Sequence, residues 1–434
     1  MTPAARLSAA IEVLEAIDAQ RVPAAQALKE WGTAHRFAGS GDRAGISGLV
    51  WDVLRRRASS AWIMEQDTPR GRLLGMLRLE RGMSSDAIAA LLDGRRFAPD
   101  ALSDAERTAL QSRTLDEAPA HIAGDYPDWL DGELAAVFGN ERAAEAAAMA
   151  SRAPLDLRAN TLKSTQDKAL AGLKHLGAVP TPWSPIGLRI ALAADARNIG
   201  IHAEPEFLKG GVEVQDEGSQ LAALMSGAKP GEQVIDLCAG AGGKTLALAA
   251  MMQGKGRLIA TDSDKRQLVP IVERLSRAGV HNADVRTPRG AVDTLSDIHS
   301  SADLVLIDAP CTGTGTWRRN PDAKWRMRPG ALEQRLGDQA TVLIRGAALV
   351  KPGGRIAYVT CSVLPQENGA QVAAFLKRHP GFAVVPPRDV IAGAMGDKAK
   401  AFADAALLSG EGLLMTPRRT GTDGFFVSIL RRTA

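Results

Sequence analysis

The stretch Asp303-Leu-Val-Leu-Ile-Asp308-Ala-Pro-Cys311-Thr-Gly-Thr-Gly decides how the chain is read. Leu304, Val305, Leu306 and Ile307 form an unbroken apolar run, the pattern of a strand buried on both faces of a parallel sheet. Pro310 ends the strand, because proline has no N–H for a ladder and turns its neighbour away from helix. Cys311 therefore falls at the carboxyl end of a buried strand, where open α/β sheets bind ligands. Basic and aromatic residues follow the glycines: Trp317, Arg318, Arg319, Lys324 and Trp325. An acid, a thiol, a flexible loop and a cationic–aromatic shelf in one short segment mark a site. The cations are expected to contact phosphate.

Outward from this strand, the C-terminal half alternates. Residues 233–237, 256–261 and 354–360 read as strands, and 422–430 as a last one. Helices are expected over 244–252, 265–278 and 329–350. Such alternation from residue 218 onward predicts an α/β domain, a doubly wound and mostly parallel sheet. Upstream, residues 125–217 predict a small α+β unit opened by Tyr126-Pro-Asp-Trp129, with strands at 155–160, 187–191 and 211–215. Ser164-Thr-Gln-Asp167 has the form of a capping box for a helix that Gly177 stops.

Residues 1–124 read as all helical. Leu7, Ile11, Leu14 and Ile17 make one apolar stripe, and Ile46, Leu49, Val50, Val53 and Leu54 make another. Ser85 is expected to cap a helix, and 95–125 to be a connecting segment. The run Arg55-Arg56-Arg57 suits a helix C-terminus and a phosphate contact equally.

At 434 residues the chain exceeds one core. A net charge of +4 and a pI of about 9.0 permit a nucleic-acid partner without requiring one. The three cysteines, Cys238, Cys311 and Cys361, are odd in number, far apart and without C-x-x-C spacing. That argues against a disulfide framework and a structural zinc site, so no metal is expected. Free thiols fit a reducing, cytoplasmic setting. Arg6, Glu12 and Glu15 interrupt the first residues, and no apolar stretch of ~18 occurs, so neither export nor a membrane span is expected.

Asp236-Leu-Cys-Ala-Gly240-Ala-Gly242-Gly243-Lys244-Thr245 joins a strand to its helix. A phosphate-binding Walker loop would need glycine at Cys238, and a dinucleotide fingerprint would need it at Thr245. A nicotinamide oxidoreductase is disfavoured by that missing glycine. The Gly-x-Gly-Gly turn that remains lets backbone come close to a ligand. With Asp262 at the end of the second strand, suited to ribose hydroxyls, it resembles the S-adenosylmethionine site of Rossmann-like methyltransferases.

Cys361, in Tyr358-Val-Thr-Cys-Ser362, also ends a buried strand. If the strands bearing Cys311 and Cys361 are neighbours, the two thiols face one crevice. Methylation of carbon 5 of a pyrimidine wants such a pair. A thiolate adding to carbon 6 makes carbon 5 enamine-like, and a base must then remove its proton so that the thiol can leave. Asp308 is placed to hydrogen-bond the ring nitrogen and amine of cytosine, and Lys244 to favour the thiolate. The residues alone leave open which thiol attacks.

Three segments carry a specific resemblance. Asp-Leu-Cys-Ala-Gly-x-Gly-Gly-Lys-Thr from Asp236, Asp-Ala-Pro-Cys-x-Gly-Thr-Gly from Asp308 with Arg-Arg-x-Pro-Asp-x-Lys-Trp, and Thr-Cys-Ser-x-x-x-x-Glu-Asn368 look like the Nop/Sun/RsmB family of RNA cytosine-5 methyltransferases. The resemblance covers residue 126 to the C-terminus. The helical N-terminus is similar to the NusB-like domain of the branch that acts on small-subunit ribosomal RNA. It implies a Rossmann-like class I methyltransferase domain at 218–434, an RNA-binding α+β subdomain at 125–217 and a NusB-like domain at 1–124. It implies Cys361 as nucleophile, Cys311 as base or release group, Asp308 on the cytosine and Lys244 lining the site. Cys238, Ala239, Gly240, Ala241, Gly242, Gly243, Lys244, Asp262 and Asp308 would bind S-adenosyl-L-methionine. Arg318, Arg319, Lys324 and Trp325 would bind RNA, ribosomal RNA in the first instance, with the protein a monomer. Two departures stand out: Ala241 replaces the family's proline, and Arg289 stands where an adenine-binding aspartate is expected. The rival reading is a non-catalytic RNA-binding or ribosome-assembly factor that keeps the fold.

Overall fold

The computed structural model describes residues 1–94, 97–192, 199–290 and 292–433. Positions 95 and 96 of the expected connector, and 193–198 of the expected α+β unit, lie outside the described residues. Two compact units emerge. Residues 1–152 and 317–327 belong to one, and residues 153–192, 200–316 and 328–434 to the other.

The first unit is helical. Thr2 caps the helix Pro3–Gln20, its hydroxyl accepting the Ala5 N–H. Leu7, Leu14, Ile46, Val50, Val53, Leu73 and Leu74 from three helices meet in one buried cluster. Two expectations shift here. Ser84, not Ser85, caps the helix Ser85–Leu91 by accepting the Ala87 N–H at 3.2 Å. The expected connector contains the helix Asp104–Ser112, fixed by a capping box between Ser103 and Glu106. Its only buried apolar residues are Ala109 and Leu110, too few to give a period in the sequence. The helices Asp131–Phe138 and Arg142–Ala150 also lie in this unit.

The second unit carries two sheets. The smaller contains β1 (Leu155–Ala159), β2 (Val179–Pro180), β3 (Gly187–Ile190) and β4 (Val212–Val214), in the order β2-β3-β1-β4 and antiparallel throughout. The helix between β1 and β2, Gln166–Gly172, is capped by Thr165 rather than Ser164. A 3-10 turn then ends at Gly177, which takes φ +70.

The larger sheet comprises β5 (Gln233–Asp236), β6 (Arg257–Thr261), β7 (Ala283–Arg286), β8 (Ala302–Asp308), β9 (Val350–Thr360), β10 (Phe382–Val384), β11 (Leu407–Leu408), β12 (Leu413–Met415) and β13 (Phe425–Arg432). Its order is β11-β12-β13-β9-β8-β5-β6-β7, with β10 also on β13. β7, β6, β5, β8 and β9 run parallel, and β13 is antiparallel to β9. Leu304 to Ile307 are completely buried, as their unbroken apolar run requires. The chain steps outward from β5 through β6 to β7, then returns to β8 on β5's other side. Strand order reverses there, which opens a crevice at the carboxyl ends. The helix expected from residue 265 begins only at Ile271, because Pro270 before it suits a helix start and not an interior.

Candidate active site

The glycine-rich turn occupies the carboxyl end of β5. Gly240 and Gly242 take φ +50 and +87, backbone that side chains rarely adopt. A Cβ on Gly242 would also stand 2.5 Å from Ile271 Cγ1, whereas one on Gly240 would meet open space. The turn is fastened from β6: Asp262 Oδ2 accepts the Gly240 N–H at 2.9 Å and Oδ1 the Asp264 N–H at 3.0 Å. From the small sheet, buried Arg158 donates to the Gly243 carbonyl at 3.1 Å. Below the turn, Asp236 is fully buried. Its Oδ2 accepts the Thr245 hydroxyl at 2.7 Å, while Oδ1 has no protein partner. Burial pushes this carboxyl up to about 7. Burial likewise holds the Cys238 thiol well above its usual range. Open space at Gly240, an unpartnered buried oxygen beneath it and a half-buried carboxylate at Asp262 together fit a polar ligand in the turn. Arg289 is exposed in the turn after β7 and bridges to Val292.

Beside it, β8 and β9 pair in parallel, with Ile307 opposite Tyr358 and Asp308 opposite Val359. This register brings the two cysteine loops together, and Cys311 Sγ lies 3.3 Å from Cys361 Sγ. Both thiols are free and half-buried. The hydrogen bond with Cys361, then burial, holds the Cys311 thiol well above its ordinary range. Lys244 Nζ donates to Asp308 Oδ2 at 2.7 Å and sits 5.0 Å above the Phe425 ring. Lys244 is buried, whereas Asp308 is partly open. Two thiols in contact and a carboxylate held by a buried ammonium thus line the carboxyl ends of adjacent strands.

Further hydrogen bonds join the loops. The Gly315 N–H donates to the Cys361 carbonyl at 2.9 Å, and the Val363 N–H donates to Thr314 Oγ1 at 2.9 Å. Glu367, Gln339, Thr312 and Ser362 take part in this network, and residue type and spacing alone mark none of them as functional.

The basic and aromatic loop is not an exposed shelf. Lys324 is fully buried in the helical unit, where its ammonium donates to the Arg55 carbonyl at 2.9 Å. Trp325 Nε1 donates to the Leu54 carbonyl at 2.7 Å. Both carbonyls end the helix Ser40–Arg55 and would otherwise lack partners. Asp322 accepts the Ala24 N–H at 3.2 Å, and Arg55 donates to the carbonyl of buried Arg318. Arg319 is half-buried. Burial pulls the Lys324 ammonium down to about 7. The expected phosphate contact by Lys324 therefore gives way to a helix-end contact. Arg55, Arg56 and Arg57 are likewise turned inward, Arg56 onto Glu80 at 2.9 Å and Arg57 onto Asp18 at 3.4 Å. Among the described residues no cluster of three or more His, Cys, Asp or Glu could hold a metal ion, and no helix is long and apolar enough to cross a membrane.

Comparison with known proteins adds independent findings. A family model described as 16S rRNA methyltransferase RsmB/F matches residues 223–431, and one described as the ferredoxin-like domain of RsmF/B-like methyltransferases matches 126–197. The order β2-β3-β1-β4 is that of a ferredoxin-like sheet. The ribosomal RNA small subunit methyltransferase B of Sodalis glossinidius is 32% identical over 334 residues, 76% of this chain and 69% of that protein. Its namesake in Salmonella arizonae is 34% identical over 261 residues, 60% of this chain and 59% of its own length. Among solved structures, PH0851 is 25% identical with a TM-score of 0.71 over 99% of both chains. A methyltransferase homolog from Pyrococcus horikoshii is 26% identical with a TM-score of 0.57, over 72% of this chain and 97% of its own.

Proposed function

The chain belongs to the RsmB/F family of 16S rRNA methyltransferases, and from that premise we propose that it methylates carbon 5 of a cytosine in 16S-type ribosomal RNA. The observation that carries this reading is the 3.3 Å contact between Cys311 and Cys361 beside the Lys244–Asp308 pair. S-Adenosyl-L-methionine, when bound, supplies the methyl group as an electrophile. Cys238, Ala239, Gly240, Ala241, Gly242 and Gly243 would hold it through backbone, with Lys244 and Asp308 beside it and Asp262 on its ribose. The Asp262 oxygens each keep a lone pair for a hydroxyl after accepting from Gly240 and Asp264.

Cys361, as thiolate, adds to carbon 6 and makes carbon 5 nucleophilic. Asp308, oriented by Lys244, hydrogen-bonds the cytosine edge. After methyl transfer Cys311 takes the proton leaving carbon 5, and the bond from carbon 6 to Cys361 breaks. Arg319 and Trp325, both half-buried, remain candidates for RNA contact, whereas Arg318 is buried like Lys324. The protein would work as a cytoplasmic monomer.

Unmodified ribosomal RNA and a labelled methyl donor test this. Cys311→Ala should accumulate a denaturation-resistant protein–RNA adduct, and Cys361→Ala should form none. The reverse pattern would exchange the two roles. Neither transfer nor adduct from wild type, on RNA shown to contain the target, would refute the reading in favour of a binding factor.

A further inference from the structure

Behind Cys311 lies a buried polar knot that the proposed chemistry does not use. Glu367 and Gln339 are both fully buried. Glu367 Oε1 accepts the Thr312 N–H at 2.8 Å and Gln339 Nε2 at 2.9 Å, and Oε2 accepts the Thr312 hydroxyl. Gln339 Nε2 also donates to the Pro310 carbonyl at 3.0 Å. The two residues flanking Cys311 are therefore both held, one by its carbonyl and the other by its amide.

Glu367 is itself fixed to the strand that bears the other thiol. Its carbonyl accepts the Tyr358 hydroxyl at 2.6 Å. Asn368 beside it accepts the Thr360 hydroxyl at 2.5 Å and donates to the Ser362 carbonyl at 2.9 Å. A carboxylate inside a protein is costly unless its lone pairs are filled. Here uncharged donors fill them, and two of the three come from the residue next to Cys311. The side chain thus ties the Cys311 loop to β9 and, through Gln339, to the helix Pro329–Leu349.

From this we infer that Glu367 is a positioning residue for Cys311: with Gln339 it clamps the backbone on both sides of that thiol and fixes its Sγ beside Cys361. The inference rests on the two-thiol reading above. Glu367 touches no reacting atom and acts only through the loop it holds. In that scheme Cys361 can add to carbon 6 without Cys311, whereas release needs Cys311 within reach of carbon 5. Loosening the clamp therefore slows release more than addition.

The test compares wild type, Glu367→Ala, Glu367→Gln, Gln339→Leu and Cys311→Ala for turnover, trapped protein–RNA adduct, cofactor affinity and melting temperature. Glu367→Ala should slow turnover on the order of tenfold to a hundredfold, the scale set by a small misplacement of a reacting group. Its trapped adduct should rise above wild type while cofactor affinity stays the same. Glu367→Gln keeps an oxygen for Thr312 and Gln339, and should restore most of the turnover. A merely structural role would lower turnover and adduct together, and that result would overturn the inference. If Glu367→Ala does not fold, Gln339→Leu reads the same clamp from the helix side, with the same two outcomes. If Cys311→Ala itself traps no adduct, the two-thiol reading falls and the clamp falls with it.

Discussion

Gly315→Ala would test how closely the fold holds the two thiol loops. Gly315 sits in the 3-10 turn Thr314–Thr316, four residues beyond Cys311. Its N–H donates to the Cys361 carbonyl at 2.9 Å, and its carbonyl accepts the Gly424 N–H at 2.8 Å. A Cβ there would lie 2.2 Å from the Gly424 carbonyl oxygen and 2.6 Å from its Cα. Those are backbone atoms, so no rotamer change relieves the overlap. The turn and the start of β13 must separate by about 1 Å to reach ordinary van der Waals distance. That sacrifices one or both hydrogen bonds, at about 1 kcal/mol each. Residual overpacking adds roughly 1–3 kcal/mol. The sum is about 2–5 kcal/mol, read by urea denaturation of the full chain together with turnover. Gly330→Ala, where a Cβ meets nothing, serves as the control and should be neutral or slightly stabilising. A Gly315→Ala protein within about 0.5 kcal/mol of wild type and fully active would refute the close packing on which this reasoning depends.

Three more outcomes are expected. Because burial raises Asp236, the stability it contributes is complete below the unfolded carboxylate range near pH ~4 and is lost as pH rises through about 7. Asp236→Asn should flatten the pH dependence of stability across that window, and an unchanged slope would show that the carboxyl ionises normally. Lys244→Met removes a 2.7 Å bond to Asp308 and should cut turnover roughly tenfold to a hundredfold, given what hydrogen bonds to charged groups contribute. Wild-type turnover in that variant would remove Asp308's orientation from the mechanism. Lys324→Met should leave the salt dependence of RNA binding unchanged, since the ammonium is buried against a helix end. A slope shallower by about 0.7–0.9, the mark of one lost phosphate contact, would refute that placement.

The parallel strands were legible because burial on both faces leaves a continuous apolar run, and Pro310 and the glycine turn punctuate it. Strand adjacency was only a condition in the sequence, and the β8–β9 pairing that meets it is what brings Cys311 to Cys361. The hairpin β11–β12 was not legible: two and three residues give no period to detect. The helix Asp104–Ser112 escaped for a related reason, since a capping box and only two buried apolar side chains define it. Caps slipped by one residue at Ser84 and Thr165 because each neighbours a second hydroxyl. Only the backbone geometry decides which of the two faces the free N–H groups.

The loop at 317–327 shows where sequence reading of a site stops. Cations beside aromatics read as a surface for phosphate because both partners are visible and the third is supplied by imagination. The chain supplies another third partner: the unfilled carbonyls of Leu54 and Arg55 at a helix C-terminus, more than 260 residues away. A helix end and a phosphate offer the same thing to an ammonium, an oxygen with negative charge. Chemistry alone therefore cannot choose between them; burial does, and it turns Lys324 inward. The thiols differ in kind. No common structural need places two free cysteines at the ends of adjacent parallel strands, so their pattern had few meanings to choose among. Residue types that satisfy many partners announce a contact without naming it, whereas rare pairings name their chemistry.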